Sequence, residues 1–210
     1  RWSLHFRVVR LFGDEAPTEL LPYDGSSLYW PWALGDLSST DVMRRLLDET
    51  DWEQRSIVMF GREVPQPRLN SWYGDVSYSY SGIAMVPRPW TPLLTSLRER
   101  CEGLTGARYN SVLVNLYRDG DDSMGWHADD ERELGPEPAI ASLSLGALRK
   151  FRLRHRETRE IIEVEPESGS LIFMSGLSQA CWMHEVPKTK RATDARINLT
   201  FRWIHPELIA

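Results

Sequence analysis

Lysine is almost missing from these 210 residues: of 25 basic side chains only Lys150, Lys188 and Lys190 are lysine, and the rest are arginine. That bias suits bidentate contact with phosphate or carboxylate but by itself names no ligand. Cysteine is scarce as well. Cys101 and Cys181 allow at most one bridge and form no CxxC pair, which excludes a disulfide scaffold and a zinc knuckle and makes a reducing compartment the expectation. No apolar run approaches the roughly 18 to 20 residues of a membrane span, and no apolar signal segment follows Arg1. The expectation is therefore a soluble protein of the cytoplasm or nucleus, with no membrane partner. Net charge is −5, which argues against coating nucleic acid by bulk electrostatics while leaving room for a local basic groove. Residues 1–140 hold 14 basic and 22 acidic side chains, against 11 and 8 in 141–210, so positive charge is concentrated late.

What is present is ordinary for one globular unit: 41% apolar, 26% charged, 14 Gly and 13 Pro. No repeat, low-complexity tract or long linker interrupts it, so a single domain over 1–210 is expected, monomeric, of α+β class and mainly β. Residues 1–35 scatter aromatics and prolines without a period and read as an extended arm with one early strand. Residues 36–108 hold helices: Val42, Met43, Leu46 and Leu47 recur at helical spacing after the Ser38, Ser39 and Thr40 cap candidates. A second helix follows Thr91, with Pro92 in its first turn, a Leu93, Leu94, Leu97, Cys101 stripe, and Gly103 as the expected stop. From 109 to 205 the chain reads as short strands: 111–117, 139–145, 150–156, 161–165, 170–173, 182–186 and 196–203. Such a series suggests a jelly roll, with the helices packed on one side.

Candidate chemistry starts at His127 and Asp129, an H-x-D pair just after the turn-rich stretch Arg118 to Gly125. The motif is short and alone is weak. His184, in the strand-like Trp182 to Val186, would complete a two-His, one-carboxylate face of the kind that leaves open positions on Fe(II). In the last strand Arg196, Asn198, Thr200 and Arg202 fall on one face, with Ile197, Leu199 and Phe201 on the other. Asn115 and Tyr117 share a face in the same way. Burying such a wall empty is costly, so either a polar ligand occupies it or solvent does. Arg196 and Arg202 are about 20 Å apart along an extended strand, and the spacing does not name a ligand.

Several segments, in order, are highly specific together: Pro67-Arg68, Tyr73-Gly74-Asp75, Tyr78-Ser79-Tyr80-Ser81-Gly82, Asn115-Leu116-Tyr117, His127-Ala128-Asp129-Asp130-Glu131, Ile140 to Gly146, Trp182-Met183-His184-Glu185-Val186-Pro187 and Arg196 to Arg202. From about Pro67 to Trp203 the chain resembles the AlkB-type iron(II) and 2-oxoglutarate-dependent dioxygenases, especially the branch of human AlkB homologues two and three. The resemblance implies a double-stranded β-helix in which His127, Asp129 and His184 hold Fe(II). It implies that Arg196 and Tyr117 bind the distal carboxylate of the cosubstrate 2-oxoglutarate, and that Arg202, Asn115 and Asn198 receive the carboxylate beside the keto group. O2 completes the set.

The activity implied is oxidative demethylation of N-alkylated bases such as 1-methyladenine and 3-methylcytosine, in DNA with RNA as a further candidate. Formaldehyde, succinate and CO2 are the products. The base is flipped out of its strand. By the same resemblance Tyr80 and the His127 ring sandwich it, Tyr78 lies at its edge, and Glu131 contacts the exocyclic amine or offsets its charge. Arg68 and Arg149 occupy positions near the substrate. Lys150, Arg152, Lys188, Lys190 and Arg191 fit contacts to the strand backbone, and Phe60 falls where duplex-acting relatives carry a base-displacing hairpin. Cys181 and Met183 depart from the family pattern without touching an implied ligand. The rival within this chemistry is an oxygenase for a protein side chain or a small molecule; outside it stands a non-catalytic binder of damaged nucleic acid.

Overall fold

The structure, a computed structural model, describes residues 16–59, 62–76, 78–80, 83–190 and 194–209. The chain opens with β1 (Thr18–Glu19) and β2 (Ser26–Trp30), then α1 (Ser39–Glu49), β3 (Ser56–Met59), β4 (Arg62–Pro65), β5 (Leu69–Gly74), β6 (Tyr78–Tyr80), β7 (Ile83–Met85) and α2 (Pro92–Thr105). It continues as β8 (Ser111–Tyr117), β9 (Met124–His127), β10 (Ile140–Gly146), β11 (Phe151–His155), β12 (Ile161–Val164), β13 (Ser170–Ser175), α3 (Ser178–Cys181), β14 (Trp182–Val186) and β15 (Arg196–Arg202). Two antiparallel sheets carry the fold. The larger runs β1-β2-β13-β10-β15-β8-β5 and the smaller β12-β11-β14-β9, with β3–β4 and β6–β7 as separate hairpins. This is the jelly roll expected from 109–205, completed by strands from earlier in the chain.

Both helices form for local reasons and bury one face. Ser38 caps α1 by accepting the Asp41 N–H at 3.3 Å, and Val42 and Leu46 turn inward. Thr91 caps α2 by accepting the Leu94 N–H at 3.2 Å, and Pro92 fits the first turn, where no N–H partner is needed. Leu93, Leu94, Leu97 and Cys101 then pack with Val112, Val114, Leu143, Ile197, Leu199 and Phe201 on the outer face of the larger sheet. The helix does not stop at Gly103. It runs to Thr105 and is capped by Gly106, whose N–H donates to the Glu102 carbonyl and whose φ of 72° turns the chain out of the helix.

The other face of the larger sheet meets the smaller one. Ile140, Ile172, Phe151, Leu153, Trp182 and Val186 fill part of the space between them, and the cleft described below takes the rest. Gly146, with φ 85°, turns the chain off the end of β10; a side chain there would collide with the Ala195 carbonyl oxygen. The β6–β7 hairpin is tied down at its stems. Gly74 N–H donates to the Arg88 carbonyl and Arg88 N–H to that of Trp72, while the Trp90 indole donates to Asp75 Oδ1 at 3.0 Å. Among the described residues no helix is long and apolar enough to cross a membrane.

Candidate active site

His127 closes β9 and His184 lies opposite it in register on β14, with ring centroids 4.1 Å apart. Asp129 follows two residues after His127 and is only 2% exposed. The ligand-capable atoms of the three lie within 4.8 Å of one another. His127 Nδ1 is 2.9 Å from the Gly125 carbonyl; an N–H donated there leaves Nε2 with its lone pair. Asp129 Oδ1 accepts from Arg202 Nη2 at 2.7 Å, whereas Oδ2 is buried without a hydrogen-bond partner.

The electrostatics favour the forms a metal needs. Burial, then the neighbouring His127, pushes the His184 imidazole down to about 3 against the opposing pull of Asp129. Burial also lowers His127, with Asp129 and the Gly125 carbonyl acting the other way. Burial alone would raise the Asp129 carboxyl; the Arg202 guanidinium, helped by both histidines, outweighs it and holds the group at about 2. At neutral pH the cluster is two neutral imidazoles and one carboxylate.

The cleft beside this cluster has its back wall on the larger sheet. Tyr117 pairs with Arg196 and Asn115 with Asn198 across β8 and β15, so period-2 alternation puts the polar side chains on the cleft and Val114, Leu116, Ile197 and Leu199 in the core behind. Arg196 is 1% exposed; Nη2 donates to Ser144 Oγ at 2.9 Å, while Nε and Nη1 have no hydrogen-bond partner. Asn198 Nδ2 donates to Ser142 Oγ at 2.8 Å and Asn115 Oδ1 accepts from Arg68 Nε at 2.9 Å, which brings Arg68 into the wall. Leu113, Phe151, Met174 and Val186 supply apolar lining.

The remaining expected site residues fall in different places. Burial raises the Glu131 carboxyl, with Arg202 opposing, and its Oε2 is buried without a partner. Tyr78 and Tyr80 occupy alternate positions of β6, in register with Met85 and Ile83. Phe60 and Arg191 lie outside the described residues. Arg149 departs from the substrate-side placement: it is absent from the cleft lining, and its guanidinium donates to three backbone carbonyls. The positive charge of Lys150 and Arg152, expected to meet the strand backbone, is largely offset, because Glu163 pairs with both and Glu185 with Arg152. Lys188 and Lys190 are exposed just beyond β14.

Three contributors were not anticipated. Gln179, on α3, accepts the Asp129 N–H on its Oε1 at 2.9 Å and so fixes the backbone of a cluster member. Ser142 and Ser144 hold Asn198 and Arg196; their alternation with Ala141, Leu143 and Leu145 along β10 was the available signal. A second histidine cluster, Asp24, His155 and Cys181, is of another kind. His155 Nδ1 accepts the Thr158 N–H at 3.1 Å, which places its proton on Nε2, 3.2 Å from Asp24 Oδ2. With both ring nitrogens engaged, His155 clasps the β1–β2 connection to the smaller sheet and its ring keeps no free lone pair for a metal.

A sequence profile described as the 2OG-Fe(II) oxygenase superfamily matches residues 28–202. Over 196 residues the chain is 37% identical to the DNA oxidative demethylase ALKBH2 of Mus musculus, covering 87% of this chain and 82% of that protein. The chain belongs to the AlkB group of the 2OG-Fe(II) oxygenase superfamily. This AlkB-type chain is also 42% identical over 183 residues to the alpha-ketoglutarate-dependent dioxygenase alkB homolog 3 of Rattus norvegicus, with 82% of this chain and 62% of that protein covered. The Homo sapiens protein of the same name is 40% identical, at 82% and 64% coverage, so the chain spans less than two thirds of these relatives. Among solved structures, OsALKBH1 superposes with a TM-score of 0.60 at 17% identity, covering 84% of this chain and 97% of its own. A prolyl hydroxylase from Trichoplax adhaerens gives 0.57 at 17%, covering 86% and 84%. Both share the jelly roll.

Membership brings Fe(II), 2-oxoglutarate and O2 with it, and the residues fit them. Two imidazoles and a carboxylate are a donor set for Fe(II) that leaves positions open. The partnerless Asp129 Oδ2 and the partnerless Arg196 nitrogens call for a cation and a carboxylate respectively.

Proposed function

We propose that this AlkB-type chain demethylates N-alkylated bases, such as 1-methyladenine and 3-methylcytosine, in DNA or RNA, acting as a monomer in a reducing intracellular compartment. The observation that carries the reading is the buried His127, Asp129 and His184 cluster beside a polar wall in which Arg196 keeps two guanidinium nitrogens without a hydrogen-bond partner, in a chain 36–42% identical to oxygenases that include DNA oxidative demethylases. Bound Fe(II), with 2-oxoglutarate and O2, supplies oxidation of the N-methyl group, and the hydroxymethyl base sheds formaldehyde.

The rest falls to the protein. His127, Asp129 and His184 would hold the metal, and the Arg202 bond to Asp129 Oδ1 would leave that carboxylate's other oxygen for it. Arg196 and Tyr117 would bind the far carboxylate of 2-oxoglutarate; Arg202, Asn115 and Asn198 would meet the near one. Tyr78, Tyr80 and Glu131 would line the base pocket, with Arg68 at its border with the cosubstrate wall. A cationic methylated base favours such an acidic, aromatic lining. Lys188, Lys190 and Arg191 would meet the strand backbone; Lys150 and Arg152 contribute less because Glu163 and Glu185 offset them.

The test is mass spectrometry of a single-stranded oligonucleotide carrying one 1-methyladenine, incubated with protein and Fe(II) in air, with and without 2-oxoglutarate. The expected result is loss of one CH2 only when 2-oxoglutarate is present. Protein that is folded and metal-loaded but leaves the oligonucleotide unchanged would overturn the substrate. His184→Ala should abolish turnover while circular dichroism stays that of the wild type.

A further inference from the structure

Arg149 sits where the chain crosses from the larger sheet to the smaller one, three residues past Gly146. It is 3% exposed. Nη1 donates to the Asp119 carbonyl at 2.7 Å, and Nη2 to those of Asp122 at 2.8 Å and Pro187 at 2.9 Å. These carbonyls belong to the two connections that flank one end of the cleft, β8 to β9 and β14 to β15. A further bond, Thr189 N–H to the Gly120 carbonyl at 2.9 Å, ties the same two connections together. The Asp122 carboxylate is engaged by the Arg118 guanidinium at 2.7 and 2.8 Å and by the Arg118 N–H at 2.9 Å. Among the described residues no carboxylate forms an ion pair with Arg149, so its charge rests on neutral carbonyls.

Two guanidiniums lie over the ring of Tyr117. Arg149 Cζ is 5.8 Å and Arg196 Cζ 5.3 Å from its centroid, both within cation–π range. Arg196 is the cross-strand partner of Tyr117 and lines the cleft, whereas Arg149 does not. The planar fork of arginine can serve three carbonyls at fixed angles, which a single ammonium at the end of a flexible stem cannot reproduce.

We propose that Arg149 is the positioning residue for the far end of 2-oxoglutarate: it gathers both connections onto the Tyr117 ring, fixes the phenol beside Arg196, and adds a second positive charge behind the carboxylate. It acts through Tyr117 and Arg196 and touches neither metal nor cosubstrate. The inference rests on the assignment of Tyr117 and Arg196 to that carboxylate.

Calorimetric titration of 2-oxoglutarate into Mn(II)-loaded protein reads the effect without turnover, and steady-state kinetics gives the split between KM and kcat. Arg149→Lys keeps charge and loses the fork; it should weaken 2-oxoglutarate roughly tenfold, the scale of a hydrogen bond from a charged donor. Arg149→Gln loses both and should approach a hundredfold loss. Mn(II) affinity should stay at the wild-type value and kcat at saturating 2-oxoglutarate within about twofold, because neither depends on the far carboxylate once it is bound. Arg196→Met is the control. If it binds 2-oxoglutarate like wild type, the assignment beneath the inference falls. If it weakens binding while Arg149→Lys and Arg149→Gln do not, the inference about Arg149 is overturned; equal losses of Mn(II) and 2-oxoglutarate affinity overturn it too, as general loosening. Should Arg149→Gln fail to fold, the Arg149→Lys titration decides alone.

Discussion

Gln179 is not part of the His127, Asp129 and His184 cluster, yet its Oε1 holds the Asp129 N–H and so sets where the carboxylate starts from. Outer partners of this kind typically alter metal affinity 10- to 100-fold, and Gln179→Leu should weaken Mn(II) binding by about that factor; a calorimetric titration equal to wild type would remove the role. Cys101 gives a prediction in pH. Burial pushes its thiol up from 9.0 to about 12, with Arg100 pulling weakly the other way. The folded chain therefore keeps a proton that the unfolded chain releases: stability is full below about pH 9 and falls as pH rises towards 12, by up to about 1.4 kcal/mol per pH unit from this group. Tyr109, also raised by burial, acts in the same direction. Urea unfolding near pH 8 and pH 10.5 should show the loss, and Cys101→Val should reduce it. At this scale the alternation of β15 made Arg196, Asn198, Thr200 and Arg202 legible as one face. Gln179, and the carbonyl partners of Arg149, were not legible, because those partners lie 50 and 27 to 38 positions away along the chain.

Elements with a strong local cause were read with little error. β8 coincides with the expected 111–117 and β14 with 182–186, and α1 starts at its serine cap. β5 was missed because Leu69–Gly74 is buried on both faces and so shows no alternation. β9 was missed because Met124 and Gly125 continue a run of turn residues, and only pairing with β14 makes the segment a strand. The end of α2 was placed three residues early, since two glycines compete for the cap and only Gly106 adopts the left-handed conformation. Opposite outcomes follow for the same substitution. Gly103→Ala meets open space inside a helix and should stabilise by up to about 1 kcal/mol, whereas Gly106→Ala is strained at φ 72° and should destabilise by a similar amount. Chemical denaturation of both variants checks the pair, and equal shifts of one sign would refute the cap assignment.

At the scale of the molecule, the sheets divide the work. His127 and His184 come from the smaller sheet and Tyr117, Arg196 and Arg202 from the larger, with the Arg202–Asp129 bond crossing between them. Mn(II) and 2-oxoglutarate together should therefore stabilise the whole fold. At about a hundred times Kd a ligand adds about 2.7 kcal/mol, which for a chain of this size raises the midpoint of thermal unfolding on the order of 5–10 °C; either ligand alone should give less. The same geometry has a kinetic side. In the proposed site, 2-oxoglutarate held at one end through a metal on His127 and His184 and at the other by Arg196 would act as a keystone between the two leaves, and succinate, which lacks the keto group, would hold them less firmly. The amide hydrogens of β9 and β14 should therefore exchange more slowly with Mn(II) and 2-oxoglutarate bound than with Mn(II) and succinate, as hydrogen exchange read by mass spectrometry would show.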